Sequence, residues 1–126
     1  MSEASPYTPS GNGTTQAERE ALSDEMARTA FQRKVVTPAA AEDVLADAIE
    51  FFRARGYRAG RTGRPNQVYV LGGREGILPR VTAEISIQPN VGKARATLVT
   101  ISGFGPRLQE HLRAFAEHVR AKRRDR

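Results

Sequence analysis

Arg53, Arg55, Arg58, Arg61 and Arg64 fall within twelve residues of one another, with Tyr57 among them. A planar guanidinium grips phosphate or carboxylate through two parallel hydrogen bonds, so such a run is a candidate anion contact. Arg74 lies in the next glycine-rich turn, GGREG, and Arg120, Lys122, Arg123, Arg124 and Arg126 close the chain. Tyr57 and Tyr69 offer rings on which a base could stack. Arg55, Arg58, Arg61, Arg64, Arg74, Lys122, Arg123 and Arg124 are therefore the candidate phosphate or nucleic-acid contacts. The glycines of GYRAGRTGRPNQVYVLGG, residues 56–73, do not make a nucleotide loop. A phosphate loop or a dinucleotide fingerprint runs from strand to helix, whereas Gly56, Gly60 and Gly63 follow a helical pattern and precede a strand. No lysine stands where the phosphate loop requires one.

Other chemistries find less material. The chain has no cysteine, which excludes disulfides, thiolate metal sites and a cysteine nucleophile. Its two histidines, His111 and His118, both lie on the last helical pattern. Seven residues at 1.5 Å each separate them by roughly 10.5 Å, too far for one metal ion. Glu84 sits mid-strand, where the expected partner is an arginine across the sheet, and Glu75 sits in a turn. No catalytic constellation emerges, and neither an enzyme, a cofactor nor a metal is expected.

The elements that would position these residues follow from periodicity. Thr15 and Glu18 match a capping box opening a short, weakly apolar helix to about Arg28. FQRKVV reads as a strand, and Thr37–Pro38 as the start of a helix whose apolar face is Val44, Leu45, Ala48, Ile49 and Phe52. Gly56 is placed to end it. One irregular strand is expected over 57–71, interrupted by GRTGRPN. A second runs over 77–88, with Val81, Ala83, Ile85 and Ile87 on one face. PNVG reads as a hairpin loop, with a return strand over 94–102. If Gln88 pairs with Lys93, then Ser86 faces Arg95, Glu84 faces Thr97, and Ala96 and Leu98 turn to the core. Pro106 opens a last helix with the stripe Leu108, Leu112, Phe115, Ala116 and Val119. The expected fold class is α+β: a two-layer sandwich, an antiparallel β-meander with two amphipathic helices on one face, in the order β-α-β-β-β-α.

A length of 126 residues suits one domain. The expected organisation is a disordered or partly helical leader over 1–28, one domain over 29–120 and a frayed basic tail over 121–126. The net charge is +6, distributed unevenly, with residues 1–50 acidic on balance and residues 51–126 strongly basic. Such asymmetry points toward a polyanionic partner or simply a solvated basic surface. No apolar run is long enough to span a membrane, and the start has no basic and apolar signal pattern, so a soluble, cytoplasmic protein is expected.

The run EDVLADAIEFFRARGYRAGRTG…QVYVLGG…LPRVTAEISIQPNVGKARATLVTISGFGP resembles small bacterial domains of unknown function. In these a helix ending in Arg-Gly-Tyr precedes a β-meander and a long C-terminal helix. Part of the outline is similar to the helix-grip domains of polyketide-cyclase type, which have more strands. The resemblance implies a fold and assigns no functional residue. The function expected first is a small non-catalytic binding or adaptor domain acting through a protein partner or a homo-oligomer. The alternatives are an electrostatic nucleic-acid binder using the 53–64 loop and the tail, and a small apolar ligand binder, for which the chain has least room.

Overall fold

The computed structural model describes residues 15–122. Eight elements follow in chain order: α1 (Gln16–Arg28), β1 (Phe31–Thr37), α2 (Ala41–Arg53), β2 (Arg58–Arg61), β3 (Gln67–Gly72), β4 (Val81–Val91), β5 (Ala96–Phe104) and α3 (Pro106–Arg120). The strands form one antiparallel sheet in the order β1-β5-β4-β3-β2. Helix α3 packs on β1 and β5, and α2 on β2, β3 and β4. The result is the expected α+β sandwich: both amphipathic helices cover one side of an antiparallel meander.

Helix α2 turns Val44, Leu45, Ala48 and Phe52 into the core, and α3 turns Leu108, Leu112, Phe115, Ala116 and Val119 into it. Val68 and Val70 of β3, the Val81 to Ile87 alternation of β4, and Val99 and Ile101 of β5 meet them. Phe52 and Phe115 touch with ring centroids 5.3 Å apart. Helix α1 has the capping box read from Thr15 and Glu18, and buries no residue. Only Leu22 of α1 packs against the core.

Four local expectations are corrected. First, α2 does not begin at Thr37–Pro38. Thr37 ends β1, fully buried, and its Oγ1 accepts from Ala39 N–H at 3.2 Å, while the Thr97 hydroxyl donates to Ala39 C=O at 2.6 Å. These two bonds hold the turn open until Ala40 caps the helix. Second, the stretch 57–71 is two paired strands, β2 and β3, because Asn66 adopts φ +58° and reverses the chain. Third, Ile77 is not in β4. It is 52 % exposed at the tip of a tight turn closed by reciprocal Glu75–Leu78 backbone bonds of 2.9 and 3.0 Å.

Fourth, PNVG is not the β4–β5 loop. Pro89, Asn90 and Val91 continue β4 past an irregularity between Gln88 and Val91, and the turn is Gly92 to Arg95. Gln88 therefore pairs with Leu98, Ser86 with Thr100 and Glu84 with Ser102. This reverses the faces of β5: Thr97, Val99 and Ile101 point into the core, and Ala96 and Leu98 away from it. A strand alternates sides at every residue, so a shift of one residue exchanges its faces. The disordered half of the proposed leader, residues 1–14, and tail residues 123–126 lie outside the described residues.

Candidate binding surface

A buried carboxylate sits where α3 begins. Gly105 precedes the helix and has no side chain to cap it. Glu75, only 6 % exposed, fills that role from the β3–β4 connection: its Oε1 accepts from Arg107 N–H and Leu108 N–H, both at 2.9 Å. Its Oε2 accepts from the Tyr57 hydroxyl at 2.6 Å. Burial, and then the hydrogen bond and charge of Glu75, push the Tyr57 phenol well above its ordinary range. His111 meets the Tyr57 ring edge-on, with centroids 5.6 Å apart. A carboxylate at a helix N-terminus is favoured by the orphan N–H groups and the dipole. With both oxygens engaged, Glu75 serves as a remote cap, and Tyr57, held neutral, as its support.

A second polar group joins the helices. The Asp47 carboxylate of α2 lies 2.7 Å from His118 Nε2 and 2.9 Å from Lys122 Nζ. Burial raises its pKa, but the hydrogen bonds and charges of Lys122 and His118 outweigh that and leave it lowered. His118 also lies against the Phe51 ring, with centroids 5.4 Å apart. Among the described residues no cluster of three His, Asp or Glu side chains could hold a metal ion. No described helix is long and apolar enough to cross a membrane.

The cationic candidates separate into two groups. On the helical side, Arg55 lies 3.5 Å over the Phe51 ring and donates to Phe51 C=O, Arg61 pairs with Glu42 at 2.9 Å, and Lys122 is tied to Asp47. On the sheet side, Arg58 is exposed on β2 and Arg64 lies in the β2–β3 turn, while Arg74 is exposed in the β3–β4 connection and lines neither cleft of that side. None of these three has a carboxylate partner among the described residues. Arg123 and Arg124 lie outside those residues.

Among the described residues the side of the sheet away from α2 and α3 is bare, except at one corner, where Met26 and Ala27 of α1 border a cleft with Gln32, Ser102 and Phe104. Following the register across it, Gln67, Ser86, Thr100 and Lys34 form one row, and Tyr69, Glu84, Ser102 and Gln32 the next. The Tyr69 ring lies over Gly60 of the neighbouring strand, which takes it out of the role of free stacking platform. Glu84 accepts from Gln67 Nε2 and has no arginine opposite, so the expected cross-strand ion pair does not form. A cleft of about 530 Å³ at one end of this face is lined by Arg64, Gln67, Ser86, Gln88 and Thr100, among others. A cleft of about 390 Å³ at the other end lies between Arg58, Arg80, Leu71 and the backbone of Gly72 and Gly73. From Gln67 to Leu71 the two ends are ~13 Å apart at 3.3 Å per residue.

Three residues of this surface or its support escaped the sequence. Lys34 and Arg80 stand apart from the arginine run, and only the strand register brings them to the same face. Glu75 read as a turn residue because its partners are 18, 32 and 33 positions away. A glycine immediately before Pro106 was the available signal: a helix start with no capping side chain needs one from elsewhere. No protein-family model matches the chain, and no curated protein matches it in sequence.

Proposed function

We propose that the chain is a small non-catalytic binding domain that acts by docking a protein partner on the side of the sheet its helices leave uncovered. The observation that carries this reading is the bare face itself, a five-stranded surface of hydroxyl and amide side chains interspersed with Val36, Leu71 and Leu98. Val36 is 58 % exposed. The one buried carboxylate among the described residues speaks against chemistry of its own, since both oxygens of Glu75 are engaged, by Tyr57 and by the start of α3. The test is affinity capture from a lysate of the encoding organism, run in parallel with the variant Ser86→Arg/Thr100→Arg, which crowds the face without entering the core. A partner retained by the chain and lost by the variant supports the reading. A strict monomer by light scattering, with no capture that depends on this face, overturns it.

A second reading is favoured by one specific observation. Residues 54–104 carry eight basic side chains and two acidic ones, a surplus equal to the whole net charge of the chain. One of those two acids, Glu75, is buried. Arg58, Arg64, Arg80 and Lys34 border the bare face with no carboxylate partner among the described residues, which suits a polyanion such as single-stranded nucleic acid. A gel shift at low salt that disappears at high salt supports it, and absence of any shift at low salt removes it.

A further inference from the structure

The two edges of the sheet are finished differently. β2 is four residues long, and α2 guards it: Arg53 Nε donates to Ala59 C=O at 2.9 Å, and Arg61 is held by Glu42. β1, at the opposite edge, runs seven residues in unbroken register with β5, from Phe31 opposite Gly103 to Thr37 opposite Thr97. It contains no proline and no bulge. In an antiparallel pair, alternate residues turn both N–H and C=O away from the neighbour, so this edge presents a row of backbone groups with no partner among the described residues. Among the described residues no side chain bonds to the backbone of 31–37; Gln109 Nε2 stops one residue short, at Ala30 C=O, 3.4 Å away.

Such an edge templates another strand unless something blunts it. Charge is the one device present. Lys34 is exposed at the middle of the strand with no carboxylate partner among the described residues. Beside it, Arg33 reaches Glu117 at 3.2 Å, and the Arg113 guanidinium lies 5.5 Å from the Phe31 ring. β1 itself carries no acid. Because Glu117 offsets Arg33, the discrimination among incoming strands falls to Lys34, with Arg113 beside it: a basic strand is repelled and one bearing carboxylates is attracted. A second copy would bring together two β1 strands whose Lys34 side chains have no acid on either strand to offset them.

We propose that β1 is the docking edge for an extended acidic segment of a partner protein, which adds to the sheet as a sixth strand. Main-chain bonds along Phe31–Thr37 supply the affinity, and Lys34 and Val36 read alternate side chains of the guest. The inference rests on the protein-docking reading above and names where and how that partner is gripped.

The test uses the full chain, ¹⁵N-labelled, titrated with the capped heptapeptide Val-Glu-Val-Glu-Val-Glu-Val. The lysine-for-glutamate peptide and a version N-methylated at alternate residues serve as controls. Expected are shifts of the 31–37 amides, ~10-fold slower hydrogen exchange at alternate positions of β1, and clear preference for the glutamate peptide. Lys34→Glu should reverse that preference while the fold is kept, and the N-methylated peptide should not bind. Amides of β1 unmoved at millimolar glutamate peptide, or moved equally by the N-methylated one, overturn the proposal. So does protection, without peptide, of those β1 amides that face away from β5: rising with protein concentration, it assigns the edge to a second copy; independent of concentration, it assigns the edge to a segment of the chain itself. If the peptide fails while Ser86→Arg/Thr100→Arg still loses a captured partner, the inference falls and the docking reading stands.

Discussion

At Gly105 the chain takes φ +134°, and a Cβ there would lie 2.6 Å from Val81 Cγ1. Neither fact tolerates a Ser, Thr, Asp or Asn, the residues that ordinarily cap a helix. The cap therefore comes from Glu75, and the Thr29 hydroxyl accepts the Gly105 N–H at 3.0 Å from the other side. Removing a buried acceptor leaves its donors unsatisfied, and hydrogen bonds to charged groups are worth ~1.5–3 kcal/mol. Glu75→Ala should thus cost about 3 kcal/mol in urea unfolding, and Glu75→Gln, which keeps one acceptor oxygen, distinctly less. Tyr57 adds a pH signature. Its pKa is raised from 10.0 by burial and then by Glu75. The stability it supplies is complete below 10.0 and is lost as pH rises from there toward the folded value. Tyr57→Phe should flatten that alkaline limb, and absorbance titration of Glu75→Gln should show one tyrosine ionising at lower pH than in the parent. Little of this was legible beforehand: a turn glutamate becomes a cap only through contacts more than thirty positions distant.

The elements themselves were more legible, for a physical reason. Helices α2 and α3 announce themselves because five apolar residues on one stripe have a single efficient use, covering a sheet. β5 did not, since Ala96, Leu98, Val99 and Ile101 offer apolar residues to both faces, and parity alone cannot choose. The irregularity at Gln88–Val91 decided it, with Asn90 at φ +60° and Gly92 at φ +72° carrying the chain into a turn later than PNVG suggested. Where α2 meets α3, the Asp47 carboxylate is the tie. Its pKa lies below the usual 3.8 because Lys122 and His118 overcome the opposing effect of burial. A lowered folded value means stability that is present above 3.8 and lost as pH falls through the folded pKa. Urea midpoints measured from pH 5 down to pH 2 should fall more steeply for the parent than for Asp47→Asn, whose neutral amide has no proton to gain. Parallel acid limbs for the two proteins would show that the pair contributes nothing measurable to the docking of α2 on α3.

At the scale of the molecule, charge follows the layers. The helices pair much of theirs: Arg61 with Glu42, Arg33 with Glu117, Lys122 and His118 with Asp47. The sheet side does not, and its clefts place Arg64 at one end and Arg58 with Arg80 at the other. The sequence displayed the surplus plainly but grouped it wrongly in space, because neighbours in the arginine run point to opposite layers. Arg55 and Arg61 serve the helical side, and Arg58 and Arg64 the bare face. This partition separates the two functional readings by experiment. Each phosphate contact on a single strand lowers the slope of log K against log salt by about 0.7, so four cations predict a slope near −3. Arg58→Gln/Arg64→Gln/Arg80→Gln should bring it to about −1, whereas Arg55→Gln/Arg61→Gln, equal in kind but on the other layer, should leave it unchanged. Equal effects from both sets would mean binding to diffuse charge, with no face of the sheet recognised. A salt-insensitive partner lost with Ser86→Arg/Thr100→Arg would place recognition in the shape and hydrogen bonding of the bare face, as protein docking requires.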